Sequence, residues 1–196
     1  MKLLHKLFIC FLVVLLSYSS YAQNGHMTFK GIELDGSLAD FIPKLEKQGF
    51  TLFTQFEGGA AMKGTFTGKK VTVLIPCKAG EVIWNVTVDF EEEKTWSELK
   101  YSYMHYKELL TAKYGNGESY EFFKSPYYEG DGYEMSAVKN EKCIYVTYFN
   151  TPEGSISLEI YKATDNSCCI RLRYEDNQNA SLHSQKRQQQ EEYDDL

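Results

Sequence analysis

The chain is 196 residues long, with 27 acidic against 21 basic side chains and a formal net charge of −6. That balance excludes a nucleic-acid partner, because binding a phosphate backbone needs a basic surface. The length and a hydrophobic share of 43% suit a single domain, or two small units sharing one core.

Lys2, His5 and Lys6 make a basic start, Leu7 to Leu16 is an unbroken apolar run, and Ser20 and Ala22 put small residues at the −3 and −1 positions. This pattern predicts a secretory signal peptide over residues 1–22, cut between Ala22 and Gln23. The run is too short to cross a bilayer, which takes about 20 apolar residues. Cys10 lies inside the run instead of after small residues, which argues against a lipoprotein. The expected location is periplasmic or secreted, with no transmembrane segment in the mature chain. Loss of Lys2 and Lys6 takes the net charge from −6 to −8.

Residues 23–176 are expected to form one α+β domain. Met27 to Leu34 reads as a first strand, followed by a turn at Asp35-Gly36. Ser37 and Asp40 have capping spacing, and Leu38, Phe41, Ile42 and Leu45 form an apolar stripe that Gly49 ends. Pro43 should bend this helix. Four strands are expected at 51–57, 61–67, 70–77 and 81–90, with turns at Gly58-Gly59, Gly68-Lys69 and Ala79-Gly80. Val71, Val73, Ile75 and Cys77 alternate, as do Val82, Trp84, Val86, Val88 and Phe90, which implies antiparallel strands with one covered face and one wet face.

The longest helix is predicted over Thr95 to Gly115. Thr95 and Glu98 form a capping box, and Trp96, Leu99, Tyr103, Tyr106, Leu110 and Tyr114 recur at steps of three and four. Five strands are expected after it, at 118–124, 133–139, 142–149, 155–162 and 168–175. Residues 177–196 carry almost no apolar side chains and read as a flexible polar tail, or as a helix over 182–193 that forms only on a partner.

The units 27–90 and 95–175 therefore share one order, a helix followed by a β-meander. The economical build is an antiparallel sheet, or two fused sheets, with both helices on one face and the other face open. This order resembles the tandem fold of secreted beta-lactamase-inhibitor-like proteins, which implies a sheet face that grips other proteins. The segment MTFKGIELDGSLADFIPKLEKQGF also resembles the start of small secreted proteins of unknown function from gut-dwelling Gram-negative anaerobes. That second resemblance lends no activity.

Candidate sites are few. Four cysteines of the mature chain, Cys77, Cys143, Cys168 and Cys169, are possible disulfide partners in an oxidising compartment. Strand parity puts Cys77 and Cys168 on apolar faces, and Cys143 and Cys169 opposite their strands' aliphatic stripes. No GxSxG, HExxH or phosphate-loop pattern is present, and nothing calls for a catalytic residue, a metal or a cofactor. The loop from Ser125 to Gly132 clusters Tyr127 and Tyr128, with Tyr133 just beyond, and tyrosine suits binding surfaces. The expected function is a non-catalytic module that binds a protein or other envelope macromolecule. The alternatives are a small carboxylate-based hydrolase or sugar-active enzyme, and a structural envelope component.

Overall fold

The structure, a computed structural model, describes residues 25–195, so the expected signal peptide over 1–22 lies outside the described residues. The predicted first strand is a small hairpin, β1 (Thr28–Phe29) and β2 (Ile32–Glu33). Lys30 and Gly31 between them both have positive φ, 54° and 76°, which is the two-residue turn that matches the twist of a hairpin.

Helix α1 (Leu38–Lys47) starts at Ser37, whose hydroxyl accepts the Asp40 N–H, and buries Phe41, Ile42 and Leu45. Pro43 lies within it and faces solvent. The strands β3 (Thr51–Phe56), β4 (Gly59–Phe66), β5 (Lys69–Pro76) and β6 (Asn85–Phe90) follow as a meander. Helix α2 (Trp96–Tyr114) carries the predicted capping box and buries Leu99, Tyr103, Tyr106 and Leu110. The second meander is β7 (Glu118–Phe123), β8 (Cys143–Asn150), β9 (Gly154–Lys162) and β10 (Cys168–Asp176).

The two meanders fuse into one eight-stranded antiparallel sheet in the order β3-β4-β5-β6-β10-β9-β8-β7. Their last strands meet at the seam, where Val88 lies opposite Leu172 and Val86 opposite Tyr174. The side chains of α1 and α2 join Val73, Val88, Leu158 and Leu172 in one core cluster, so both helices cover the same face. The predicted α+β fold, with its pseudo-repeat of helix plus meander, is therefore the fold of the described chain.

Besides the first strand, three predicted elements differ. The strand expected at 133–139 is a short helix, α3 (Glu134–Lys139). Its buried positions, Glu134, Ala137 and Val138, are spaced three and four apart, and the Glu134 carboxylate accepts the Gly130 N–H. The strand expected from Glu81 begins only at Asn85, because before it the chain leaves β5 and the Ile83 N–H bonds the Gly36 carbonyl instead. That segment, expected as a flexible tail, is helix α4 (Asn177–Asp194). Fully buried Asp176 caps it through the Asn179 N–H at 2.8 Å and also takes the Met27 N–H at 2.7 Å. Asn179 reaches the carbonyls of Leu34 and Ile83, and His183 stacks on Trp84 with ring centroids 4.7 Å apart. Among the described residues no helix is long and apolar enough to cross a membrane.

Candidate functional site

Strand periodicity and the position of the helices together define a helix-free sheet face. One cross-strand row crosses it through all eight strands: Thr51, Lys63, Thr72, Asp89, Arg171, Glu159, Val146 and Tyr120. At its centre Arg171 grips Asp89 through two hydrogen bonds, Nε to Oδ1 at 2.6 Å and Nη2 to Oδ2 at 2.8 Å. The guanidinium also lies 3.2 Å from the centre of the Tyr161 ring. Arg171 is only 8% exposed. Burial works against its charge, but the bonds and charge of Asp89 outweigh that, and the guanidinium titrates above its ordinary value. Glu159 lies opposite Arg171 on the next strand. Burial raises its carboxyl above the usual range, with Arg173 and Arg171 opposing that rise.

Either side of this charged centre the face changes character. Towards β3 it holds a groove of about 520 Å³, whose lining includes Thr51, Lys63, Thr65, Lys70, Thr72 and Glu91. Towards β7 it is aromatic. Tyr120 and Phe122 of β7 and Tyr148 of β8 are all exposed, at 44%, 48% and 41%. Tyr120 and Tyr148 sit edge to face with centroids 6.4 Å apart, and half-buried Ile144 and Val146 fill the space beside them. The Tyr120 hydroxyl donates to Glu118, which raises its pKa.

The predicted tyrosine loop is elsewhere. Tyr145, which joins the helix-side core, donates its hydroxyl to Glu129, and Lys100 of α2 pairs with the same carboxylate. The loop therefore stands on the helix side of the sheet and cannot share a site with the open face. Lys100 holds the Glu129 carboxyl below its usual range. Tyr127 is half-buried against the core and accepts from Asn140 Nδ2 at 2.9 Å. Tyr128 and Tyr133 are exposed at 66% and 65%, and the Asp131 carboxylate holds the backbone N–H of both.

None of the four cysteines is bonded, and all are buried. Continuing the β5–β6 and β6–β10 registers puts Cys77 and Cys168 at opposite ends of β6, out of reach of one another. Cys143 and Cys168 both lie in the helix-side core, on the strands flanking β9. Cys169 faces the other way, beside Asp89 and Arg171 in sheet register. Burial pushes the Cys143 and Cys169 thiols up to about 12, so neither is a ready nucleophile. Cys143 does lie opposite the aliphatic pair Ile144 and Val146 of β8, but it is that pair that faces outward. Cys143, Tyr145, Thr147 and Phe149 are the buried set. Thr147 is tolerated there because its hydroxyl bonds Tyr103 at 2.6 Å and Ser119 at 2.9 Å.

Asp89 and Glu159 both lie on the open face, with Arg171 on the strand between them. With both Asp89 oxygens on Arg171, that carboxylate is an ion-pair partner and not a free acid or base. Among the described residues no group of three or more His, Cys, Asp or Glu side chains is arranged to hold a metal ion. No protein-family model, no curated protein and no solved structure matches this chain.

Proposed function

We propose that this is a secreted, non-catalytic module of the cell envelope that grips a protein or other macromolecule on its helix-free sheet face. The observation that carries the reading is the exposed aromatic cluster Tyr120, Phe122 and Tyr148 on the helix-free sheet face, in the same face as the buried Arg171–Asp89 pair. Aromatic side chains on a fixed scaffold offer large contact area at small entropic cost, the usual make-up of binding hot spots. The resemblance to beta-lactamase-inhibitor-like proteins points the same way, since it implies gripping through a sheet face.

The test is capture from envelope and culture-medium extracts by three forms of the protein. These are the unaltered chain, a Tyr120→Ala/Phe122→Ala/Tyr148→Ala variant, and a Tyr128→Ala/Tyr133→Ala variant. The expected result is a partner held by the first and third forms and lost by the second. Loss only in the third moves the site to the tyrosine loop, and capture by none sinks the reading.

A further inference from the structure

The groove beside β3 is the polar part of the helix-free face, and strand register sets its polar groups in a square. Lys63 and Thr65 of β4 lie opposite Thr72 and Lys70 of β5, so the ammonium groups take one diagonal and the hydroxyls the other. Thr51 of β3 stands opposite Lys63, whose ammonium sits over the Phe53 ring at 3.7 Å. Glu91 follows Phe90, which pairs with Val71, and so stands across from Lys70. Asp89 also borders the groove, but Arg171 takes both of its oxygens. The three hydroxyls, the two ammonium groups and the Glu91 carboxylate form no hydrogen bond or ion pair with any described residue. The apolar members Val71 and Phe90 are buried, so the groove offers hydrogen-bonding groups and no apolar anchor.

Those groups choose among ligands. A threonine hydroxyl both gives and takes a hydrogen bond, an ammonium only gives, and a carboxylate only takes. A hydroxyl-rich ligand answers all three, because each of its hydroxyls does both. A protein patch centres on apolar and aromatic anchors ringed by polar groups, the reverse of this groove. A phosphate polymer is opposed by Glu91 and by the net charge of −6. The row through Thr51, Lys63 and Thr72 continues across all eight strands, about 34 Å at about 4.8 Å per spacing, to Tyr120 beside Tyr148. A chain laid along that row meets aromatic rings there, whose negative faces attract the polarised C–H groups of a sugar.

We infer that this groove binds a segment of a sugar chain. The inference rests on the reading of the helix-free face as the gripping surface, and it names what that face grips. Lys63 and Lys70 donate to oxygens of the chain, Glu91 accepts from its hydroxyls, and Thr51, Thr65 and Thr72 pair in either sense. Where the chain carries carboxylates, the two ammonium groups are their seat.

The experiment is isothermal titration calorimetry of the purified protein with soluble polysaccharides, dextran, mannan and xylan as neutral chains and polygalacturonate and alginate as acidic ones. The expected result is saturable binding of at least one chain. Its dissociation constant is raised about tenfold or more by Thr65→Val/Thr72→Val and by Lys63→Ala/Lys70→Ala. Tyr128→Ala/Tyr133→Ala, on the helix side, leaves the constant unchanged. Circular dichroism checks that each variant keeps its fold. Shifts of the Thr51, Thr65 and Thr72 methyl signals in NMR on adding the chain supply a readout that needs no variant. Binding of a neutral chain assigns the lysines to hydroxyl oxygens. Binding of acidic chains alone, weakened by both double variants, assigns them to carboxylates. No chain bound, or binding indifferent to the threonine change, overturns the inference. Capture of an envelope protein through Tyr120, Phe122 and Tyr148 with no chain bound overturns this inference alone, and failure of both removes the reading beneath it as well.

Discussion

At the scale of single residues, the helix-free face is organised by Arg171. Its charge is nearly out of water, and Asp89 satisfies it in bidentate geometry. Removing one partner leaves the other charge unpaired in a poorly solvated place, which costs far more than the pair contributes in net terms. Arg171→Ala is expected to lower stability by about 3 kcal/mol in urea denaturation. Arg171→Met with Asp89→Leu is expected to recover most of that loss. Glu159 makes a separate prediction. Its carboxyl is raised in the folded state by burial, so the folded chain holds that proton more tightly than the unfolded chain does. Its contribution to stability is therefore full below the ordinary value of 4.5 and lost as pH rises through the higher folded value. Glu159→Gln is expected to gain stability over the unaltered protein as pH rises to neutral and to gain none in acid. An equal difference at both pH values would contradict the raised carboxyl.

At the scale of elements, α4 behaves as two pieces. Its first two turns are anchored by Asp176, Asn179 and the Trp84–His183 stack, while residues 185–194 are exposed all round. The outer piece is held only by pairs four apart, such as Arg187 with Glu191 and Gln188 with Glu192, each worth a few tenths of a kcal/mol. Truncation after Ser184 is expected to leave the melting temperature nearly unchanged. Asp176→Ala removes the cap and strands the buried Met27 and Asn179 N–H groups, so a loss of about 3 kcal/mol is expected by calorimetry. Trp84 fluorescence should then report release of the His183 ring. If truncation cost as much as Asp176→Ala, the division of α4 into anchored and free parts would be wrong.

At the scale of the whole molecule, the two helix-plus-meander units share one sheet and one core. Their seam is a hydrogen-bonded β6–β10 ladder, and one core cluster runs beneath both halves. Each unit alone would expose the core side of its seam strand. Separately produced halves, cut between β6 and α2, are expected to be largely unfolded and to regain the sheet's circular dichroism only when mixed. Independent folding of either half would show that the seam is an interface between finished domains. The sequence alone determined the elements whose physics is local. Thr95 and Glu98 cap α2 because both partners lie within one turn, and alternation marks β5 and β10 because neighbouring side chains must take opposite faces. It identified Tyr127, Tyr128 and Tyr133 as a cluster but could not tell which side of the sheet they occupy. It passed over Tyr120, Phe122 and Tyr148, because alternation in β7 and β8 shows two faces without saying which one the helices cover. It offered a helix over 182–193 only on a partner, and could not show the start of α4 at Asn177, because the anchors there, at Met27, Leu34, Ile83 and Trp84, lie roughly a hundred residues or more away in the chain. Only tertiary structure decided those points, since covering a face, pairing Arg171 with Asp89 and separating Cys77 from Cys168 all depend on contacts between residues distant in sequence.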